Sequence, residues 1–145
     1  MNQTRKYSRK REAILECIRS TNTHPTADWV YAQLKPRLPD LSLGTVYRNL
    51  AAFKQDGTIV SVGVVNGQER YDGCVEPHVH FICQSCGAVV DVDLAYPARA
   101  LERQVAEAIG GTVTGHSLCF HGICSGRTHS NIAACENSNC TQNQN

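Results

Sequence analysis

The sequence has no apolar run near the roughly 20 residues that a membrane-spanning helix needs. Its first residues, MNQTRKYSRKR, also lack the apolar core of a secretory signal peptide. These two absences predict a cytoplasmic protein with no membrane partner. In that reducing compartment, metal binding or thiol chemistry explains the eight cysteines better than a disulfide framework does.

Acidic residues are missing from the first eleven positions, and charge is distributed unevenly along the chain. Residues 1–72 hold 11 Lys and Arg against 7 Asp and Glu, whereas residues 73–145 hold 3 against 6. The basic half is therefore the candidate for binding a polyanion, with Arg9 and Arg11 as candidate phosphate contacts. The same basic run can also be a solvated tail. The 145 residues favour two small domains.

The first half of the sequence predicts three helices followed by a hairpin. Ser8, Thr26 and Ser42 are good N-caps for helices that end near Ser20, at Pro36 and near Asp56. The segment IVSVGVVNGQERYD then alternates around Asn-Gly, a strong hairpin signal, which completes the order of a winged helix-turn-helix domain. The predicted buried stripes are Ile14, Cys17 and Ile18; Ala27, Val30, Tyr31 and Leu34; and Leu43, Val46, Leu50 and Phe53.

The third helix also predicts an exposed face for recognition. At 100° per residue, Arg48 points away from the buried stripe, with Thr45 beside it and Tyr47 and Asn49 on the flanks. An exposed Arg can bind guanine bidentately, and Tyr47 can contact a thymine methyl or a phosphate, although it can also be a packing residue. These four residues are the candidate DNA-reading set.

The second half predicts a smaller α/β unit. The turn-rich segment 73–77 marks the domain boundary, so that 1–72 and 78–126 are the two domains and 127–145 is a polar, mobile tail. Strands are expected at about 79–83, 88–93 and 112–120. A helix opens at Pro97 and ends at Gly110-Gly111, with an apolar stripe of Ala98, Leu101, Val105 and Ile109.

The stretch HVHFICQSCGAVVD, residues 78–91, contains two kinds of metal ligand. His78 and His80 alternate on a strand and face one way, and with Asp91 they suit iron, manganese or zinc. Cys83 and Cys86 have the spacing of a structural zinc pair. A redox pair is the other interpretation, but these cysteines lie in a strand-to-strand turn and not at a helix start.

The motifs HPTAD, LGTVYRNL, ERYD, HVHFICQSCG and GIC stand in the order and at the separations of the ferric-uptake-regulator family. The chain resembles that family from residue 8 to about 126. The resemblance implies an α+β fold, with a winged helix-turn-helix domain hinged to a small α/β dimerisation domain. It also implies a homodimeric, metal-dependent repressor that binds an operator in double-stranded DNA.

The resemblance further implies a regulatory metal site at His24, Asp72, His78, His80 and Asp91. Both carboxylates are aspartates, which is similar to the peroxide-responsive branch, where iron or manganese is bound and iron-catalysed oxidation modifies ligating histidines. The matching histidines are His24 and His78. Arg48 instead resembles iron-responsive members, so an iron- or zinc-responsive repressor is the alternative function.

The structural zinc of the family is held by two CxxC pairs, but this sequence matches only Cys83, Cys86 and Cys124. Arg127 occupies the fourth position, and a guanidinium cannot ligate zinc. Either another residue supplies the fourth ligand or zinc is bound weakly or not at all. A thiol-disulfide enzyme or thiol redox sensor is the alternative from another class, ranked last because no context for a low-pKa thiol is visible. The candidate fourth ligands are His129, Cys135, Cys140, Cys119 and His121.

Overall fold

A computed structural model describes residues 8–125 and divides into two compact units, with the boundary between Val75 and Glu76. This boundary falls inside the segment 73–77. The proposed tail, 127–145, lies outside the described residues. No helix in the described range is both long and apolar enough to cross a membrane.

Three helices form the first unit: α1 (Arg9–Arg19), α2 (Ala27–Leu34) and α3 (Leu43–Gln55). The three predicted N-caps are confirmed. The side-chain oxygens of Ser8, Thr26 and Ser42 accept hydrogen bonds from the backbone N–H groups three residues on, at 3.3, 3.1 and 3.1 Å. Each cap satisfies an N–H group that has no partner inside its helix.

The predicted stripes form the core of this unit with two differences, Tyr31 and Leu43, which are only half-buried. The remaining stripe residues are buried. Residues from the loops and the hairpin complete the core: Leu38, Leu41, Ile59 and Tyr71.

The hairpin pairs β1 (Val60–Val65) with β2 (Gln68–Asp72). Asn66 and Gly67 both have positive φ, 52° and 78°, as the two central residues of a type I′ turn require. Because Tyr71 of β2 is buried in the core, the hairpin packs against the helices as the wing of a winged-helix unit.

The second unit contains β3 (Val79–Cys83), β4 (Val89–Val92), α4 (Ala98–Ile109) and β5 (Leu118–Gly122). The strand order is β4-β3-β5, with β3 antiparallel to β4 and parallel to β5. The α+β prediction is confirmed, but the last strand was predicted too early and too long, at 112–120. Among the described strands it pairs with β3 alone, and its length matches the five residues of β3.

Helix α4 has an apolar face that nothing in the described chain buries. Leu101, Val105 and Ile109 are 43, 50 and 65% exposed, and no residue of α4 is buried. The helix ends as predicted at Gly110, whose φ of 63° suits a glycine C-cap. The stripe is therefore present as predicted, but it is exposed in the single chain.

Candidate metal centres and nucleic-acid interface

The first unit holds a buried pair formed by His24 and Asp72. His24 lies just before the Thr26 cap, is 1% exposed, and places Nε2 3.3 Å from Asp72 Oδ2. Asp72, the last residue of β2, also accepts a hydrogen bond from the Cys74 backbone N–H at 2.8 Å. Burial of an imidazole and a carboxylate is costly unless each finds a partner, so this pair is suited to hold a cation.

The backbone at His24 is held by Arg70 of β2. Residue 24 has a φ of 55°, an uncommon value for a residue with a side chain. The Arg70 guanidinium donates to the carbonyls of His24 and Thr23, the latter at 2.7 Å, and Tyr71 N–H donates to Pro25 O at 3.0 Å. Strand β2 thus supplies both Asp72, which pairs with the His24 imidazole, and Arg70, which forms hydrogen bonds with the backbone of His24 and Thr23. Sequence reasoning missed Arg70, because a lone arginine in a strand carries no signal of what it contacts.

The second unit brings together His78, His80 and Asp91. The two Nε2 atoms lie 3.1 and 3.2 Å from the same oxygen, Asp91 Oδ1, and the ring centroids are 4.2 Å apart. His80 and Asp91 are direct partners in the β3–β4 register. Two imidazoles and a carboxylate that converge through adjacent strands have the arrangement of a preformed half-site for a metal ion.

A backbone carbonyl fixes the tautomer of His78. Its Nδ1 lies 2.6 Å from Glu76 O, and a carbonyl can only accept, so Nδ1 carries the proton. In the neutral ring the lone pair is then on Nε2, which lies 3.1 Å from Asp91 Oδ1. Because both atoms are acceptors in that state, a cation must lie between them, either a second proton or a metal ion. Metal-binding histidines are commonly held this way by a carbonyl or carboxylate on the other ring nitrogen. The donor chemistry of both half-sites, imidazole nitrogen and carboxylate oxygen, fits Fe²⁺, Mn²⁺ or Zn²⁺.

Cys83, Cys86 and Cys124 form a separate sulfur cluster, with their Sγ atoms within 4.8 Å of one another. Cys83 ends β3, Cys86 lies in the turn after it, and Cys124 follows β5. The backbone N–H groups of Cys124 and Cys86 point at Cys83 Sγ, at 3.4 and 3.5 Å, and lower the pKa of Cys83 to about 6. The expectation that no low-pKa thiol is present was wrong. It rested on the absence of a helix start near these cysteines, whereas backbone N–H groups in turns lower the pKa of Cys83. A thiolate at neutral pH suits zinc.

Among the described residues, no fourth ligand joins these three cysteines. Cys119 and His121, both on β5, are not part of the cluster. The other candidates, His129, Cys135 and Cys140, and the intervening Arg127, lie outside the described residues.

The proposed DNA-reading residues lie on the outer face of α3. Arg48 and Tyr47 are exposed, and Thr45 and Asn49 are half-buried. Arg9 is exposed at the start of α1. Arg11 differs: its guanidinium pairs with Asp56 at 3.2 Å and lies 4.3 Å from the centre of the Phe53 ring. Arg11 therefore joins α1 to the C-terminal end of α3, and its role as a phosphate contact stays a prediction.

Comparison with known proteins gives consistent matches. Residues 2–121 match the ferric uptake regulator family. The chain is 36% identical over 116 residues to the peroxide-responsive repressor PerR of Staphylococcus aureus (strain USA300), a match that covers 79% of this chain and 77% of that protein.

Solved structures agree. The Campylobacter jejuni peroxide stress regulator superposes with a TM-score of 0.69 at 29% identity, over 79% of this chain and 85% of that one. The ferric uptake regulator of Francisella tularensis, solved with iron, gives 0.68 at 27% identity, over 87% and 96%. The family match spans most of the sequence, and it rules out the interpretation of the CxxC pair as a thiol-disulfide enzyme. The chain belongs to the ferric uptake regulator family of transcriptional regulators.

Proposed function

We propose that this protein is a metal-dependent, DNA-binding transcriptional repressor that senses hydrogen peroxide. The observation that carries the proposal is the donor set, three imidazoles and two carboxylates in two prepared half-sites, with aspartate as both carboxylates. The peroxide-responsive repressor of S. aureus and the C. jejuni peroxide stress regulator, both similar in sequence, support the choice of signal.

In this proposal, His24 and Asp72 from the first unit and His78, His80 and Asp91 from the second are the ligands of one regulatory Fe²⁺ or Mn²⁺. Bound Fe²⁺ would promote cleavage of the O–O bond of hydrogen peroxide. In the net reaction, one peroxide oxygen would be inserted into a ring C–H bond of a ligating imidazole, His24 or His78, and the other would leave as water, so the imidazole would be the group oxidised. Mn²⁺ supports DNA binding without this reaction. The ligands come from both sides of the 73–77 segment, so an ion held by all five restrains the two units relative to each other.

The residues around the site prepare it for this role. The Glu76 carbonyl keeps the His78 proton on Nδ1, so Nε2 is the ring nitrogen that can ligate a metal. Asp91 is the shared anion of both imidazoles in the second unit. Oxidation of either His24 or His78 removes one neutral donor from its half-site, so metal affinity falls and repression is released.

DNA binding and dimerisation use separate surfaces. The α3 residues Arg48, Tyr47, Thr45 and Asn49 face the major groove, and Arg9 contacts phosphate. The homodimer forms through the exposed stripe of α4, because an amphipathic helix with its apolar face in water is the type of surface that dimers bury. Two copies present two α3 helices to a palindromic operator.

We further propose that Cys83, Cys86 and Cys124 hold a structural Zn²⁺. The lowered pKa of Cys83 supports this role, since zinc binds the thiolate. The fourth ligand comes from His129, Cys135 or Cys140.

The test compares Fe²⁺-loaded and Mn²⁺-loaded protein before and after micromolar peroxide. A duplex selected from a random library by the Mn²⁺ form serves as the DNA probe. We expect the Fe²⁺ form alone to lose binding, with one added oxygen in the peptide of His24 or His78 by mass spectrometry. Unchanged binding with unmodified histidines would disprove peroxide sensing.

An iron- or zinc-responsive repressor is the alternative, favoured by the exposed Arg48 on α3. Titration of DNA binding with each metal separates the two functions. Strict dependence on one metal, with no response of the Fe²⁺ form to peroxide, would establish the alternative.

A further inference from the structure

The exposed face of α3 holds a hydrogen-bonded guanidinium. Arg48 Nη2 donates a hydrogen bond to Thr45 Oγ1 at 3.0 Å, one helical turn earlier. Long side chains on a helix lie over the turn that precedes them, and here that turn offers an acceptor. The side chain is therefore directed along α3 before DNA is bound.

The acceptor is itself held in place. Thr45 Oγ1 lies 2.8 Å from Ser42 Oγ, and Ser42 Oγ accepts the Thr45 backbone N–H at 3.1 Å as the helix cap. A guanidinium has only donors, so Thr45 must accept from Arg48. The three side chains form a continuous chain of hydrogen bonds from the cap to the exposed arginine.

Gly44 gives the guanidinium room. A Cβ at position 44 would lie 3.3 Å from Arg48 Nη1, closer than ordinary van der Waals contact. Gly44 does not have the positive φ that favours glycine, and glycine within a helix is less stable than alanine. The atom nearest to a Cβ at position 44 would be Arg48 Nη1, so the glycine leaves space for the guanidinium.

We infer that Gly44 and Thr45 are positioning residues that preset Arg48 for guanine recognition, so that Thr45 contributes to DNA reading through Arg48 and not through a base contact of its own. This inference rests on the proposed DNA-binding function. The bond to Thr45 uses one Nη2 proton, and the remaining Nη protons can still form the bidentate pair with a guanine edge. An arginine that is already ordered loses less rotamer freedom on binding, so its contribution to discrimination is larger.

The experiment measures base discrimination by the full-length Mn²⁺-loaded protein. A duplex selected from a random library by the wild type is compared with duplexes in which each guanine is replaced. We expect Arg48→Ala to reduce discrimination at one position by about tenfold or more. Thr45→Val should reduce it at the same position by about threefold to tenfold, Gly44→Ala should act in the same direction, and Thr45→Ser should restore it.

A double-mutant cycle separates positioning from direct contact. If Thr45 acts through Arg48, Thr45→Val has no further effect in the Arg48→Ala background. Additive effects would mean that Thr45 contacts DNA itself and would overturn the inference, as would wild-type discrimination in Thr45→Val. Cooperative thermal melting of every variant at or above the wild-type temperature shows that the fold is intact.

If the protein selects no DNA sequence from the library, the proposed function is disproved. The inference about Arg48 can still be tested by a measurement without DNA. The ¹⁵N relaxation of Arg48 Nε reports the order of its side chain. We expect an ordered Nε in the wild type and in Thr45→Ser, and a mobile Nε in Thr45→Val. A wild-type Nε as mobile as that of Thr45→Val would overturn the positioning role.

Discussion

Arg70 donates its guanidinium N–H to the backbone carbonyl of His24, while the imidazole of His24 pairs with Asp72, two residues further along the same strand. The uncommon backbone conformation at His24 costs free energy, and structure around it must offset that cost. The hydrogen bonds from the Arg70 guanidinium to the carbonyls of His24 and Thr23 stabilise this conformation and offset that cost. They explain how a buried imidazole keeps a fixed direction at the end of a loop.

Replacement of Arg70 by Ala should therefore weaken both the fold and the metal site. The carbonyls of Thr23 and His24 would lose charge-assisted hydrogen bonds, which lowers the free energy of unfolding by about 2 kcal/mol. Mn²⁺ affinity should fall by about tenfold or more, because the direction of the His24 ring is no longer fixed. Urea unfolding and calorimetric Mn²⁺ titration measure the two effects.

Arg37→Ala is the matched control, since Arg37 is an exposed arginine of the same unit. It should leave both quantities within error. If a folded Arg70→Ala protein bound Mn²⁺ as tightly as the wild type, the hydrogen bonds from Arg70 would not be what positions His24.

Asp91→Ala should abolish tight binding at the regulatory site. Its Oδ1 is the shared partner of His78 and His80, so its loss removes an anionic donor and leaves two imidazoles without their common partner. We expect Mn²⁺ affinity to fall by about 100-fold or more. Asp93→Ala removes an equal charge from an exposed position two residues away and should have little effect. An equal loss in both variants would indicate a general electrostatic effect.

The sulfur cluster should show a pH dependence in the metal-free protein. Backbone N–H donors, from Cys124 first and Cys86 next, lower the pKa of Cys83 to about 6 from an ordinary value of 9.0. The Cys83 thiolate is thus stabilised in the folded state relative to the unfolded state. Its contribution to stability is full above pH 9 and is lost as the pH falls towards 6.

Absorbance of the thiolate at 240 nm, recorded against pH, tests this directly. We expect a first step near pH 6 that is absent in Cys83→Ala. Burial raises the pKa of Cys17 and Cys119, so these two thiols titrate later. A wild-type curve without a step below pH 8 would contradict the role of the backbone donors.

Val105→Glu should dissociate the proposed homodimer. Val105 is the middle residue of the exposed α4 stripe, and a buried, unpaired carboxylate at a dimer interface is strongly unfavourable. Sedimentation velocity at micromolar concentration should give a monomer with unchanged secondary structure. Gln104→Glu adds the same charge beside the stripe and should remain dimeric. A dimeric Val105→Glu protein would place the interface elsewhere.

Local patterns in the sequence were sufficient for much of the fold. Ser8, Thr26 and Ser42 were identifiable as caps because capping is a property of a few adjacent residues. Asn66-Gly67 was identifiable as the turn of a hairpin for the same reason. The stripe of α3 followed from helical periodicity alone.

Other features depend on partners that are distant in sequence. The extent of β5 matches that of β3, and no pattern within 112–122 reveals this pairing. Arg11 was predicted as a phosphate contact from its charge, and the sequence did not reveal its contact with Phe53 of α3 or its ion pair with Asp56, the C-cap of α3. The low pKa of Cys83 comes from the backbone of Cys124, 41 residues away.

Strand β3 carries His80 in its interior and Cys83 at its end, so it belongs to both proposed metal centres. The pairing that aligns His80 with Asp91 is made by the same strand whose last residue would be fixed by zinc. Zinc starvation would then loosen this strand and disturb the regulatory ligands. Under the proposed function, a shortage of zinc would therefore also weaken the response of the iron site to hydrogen peroxide.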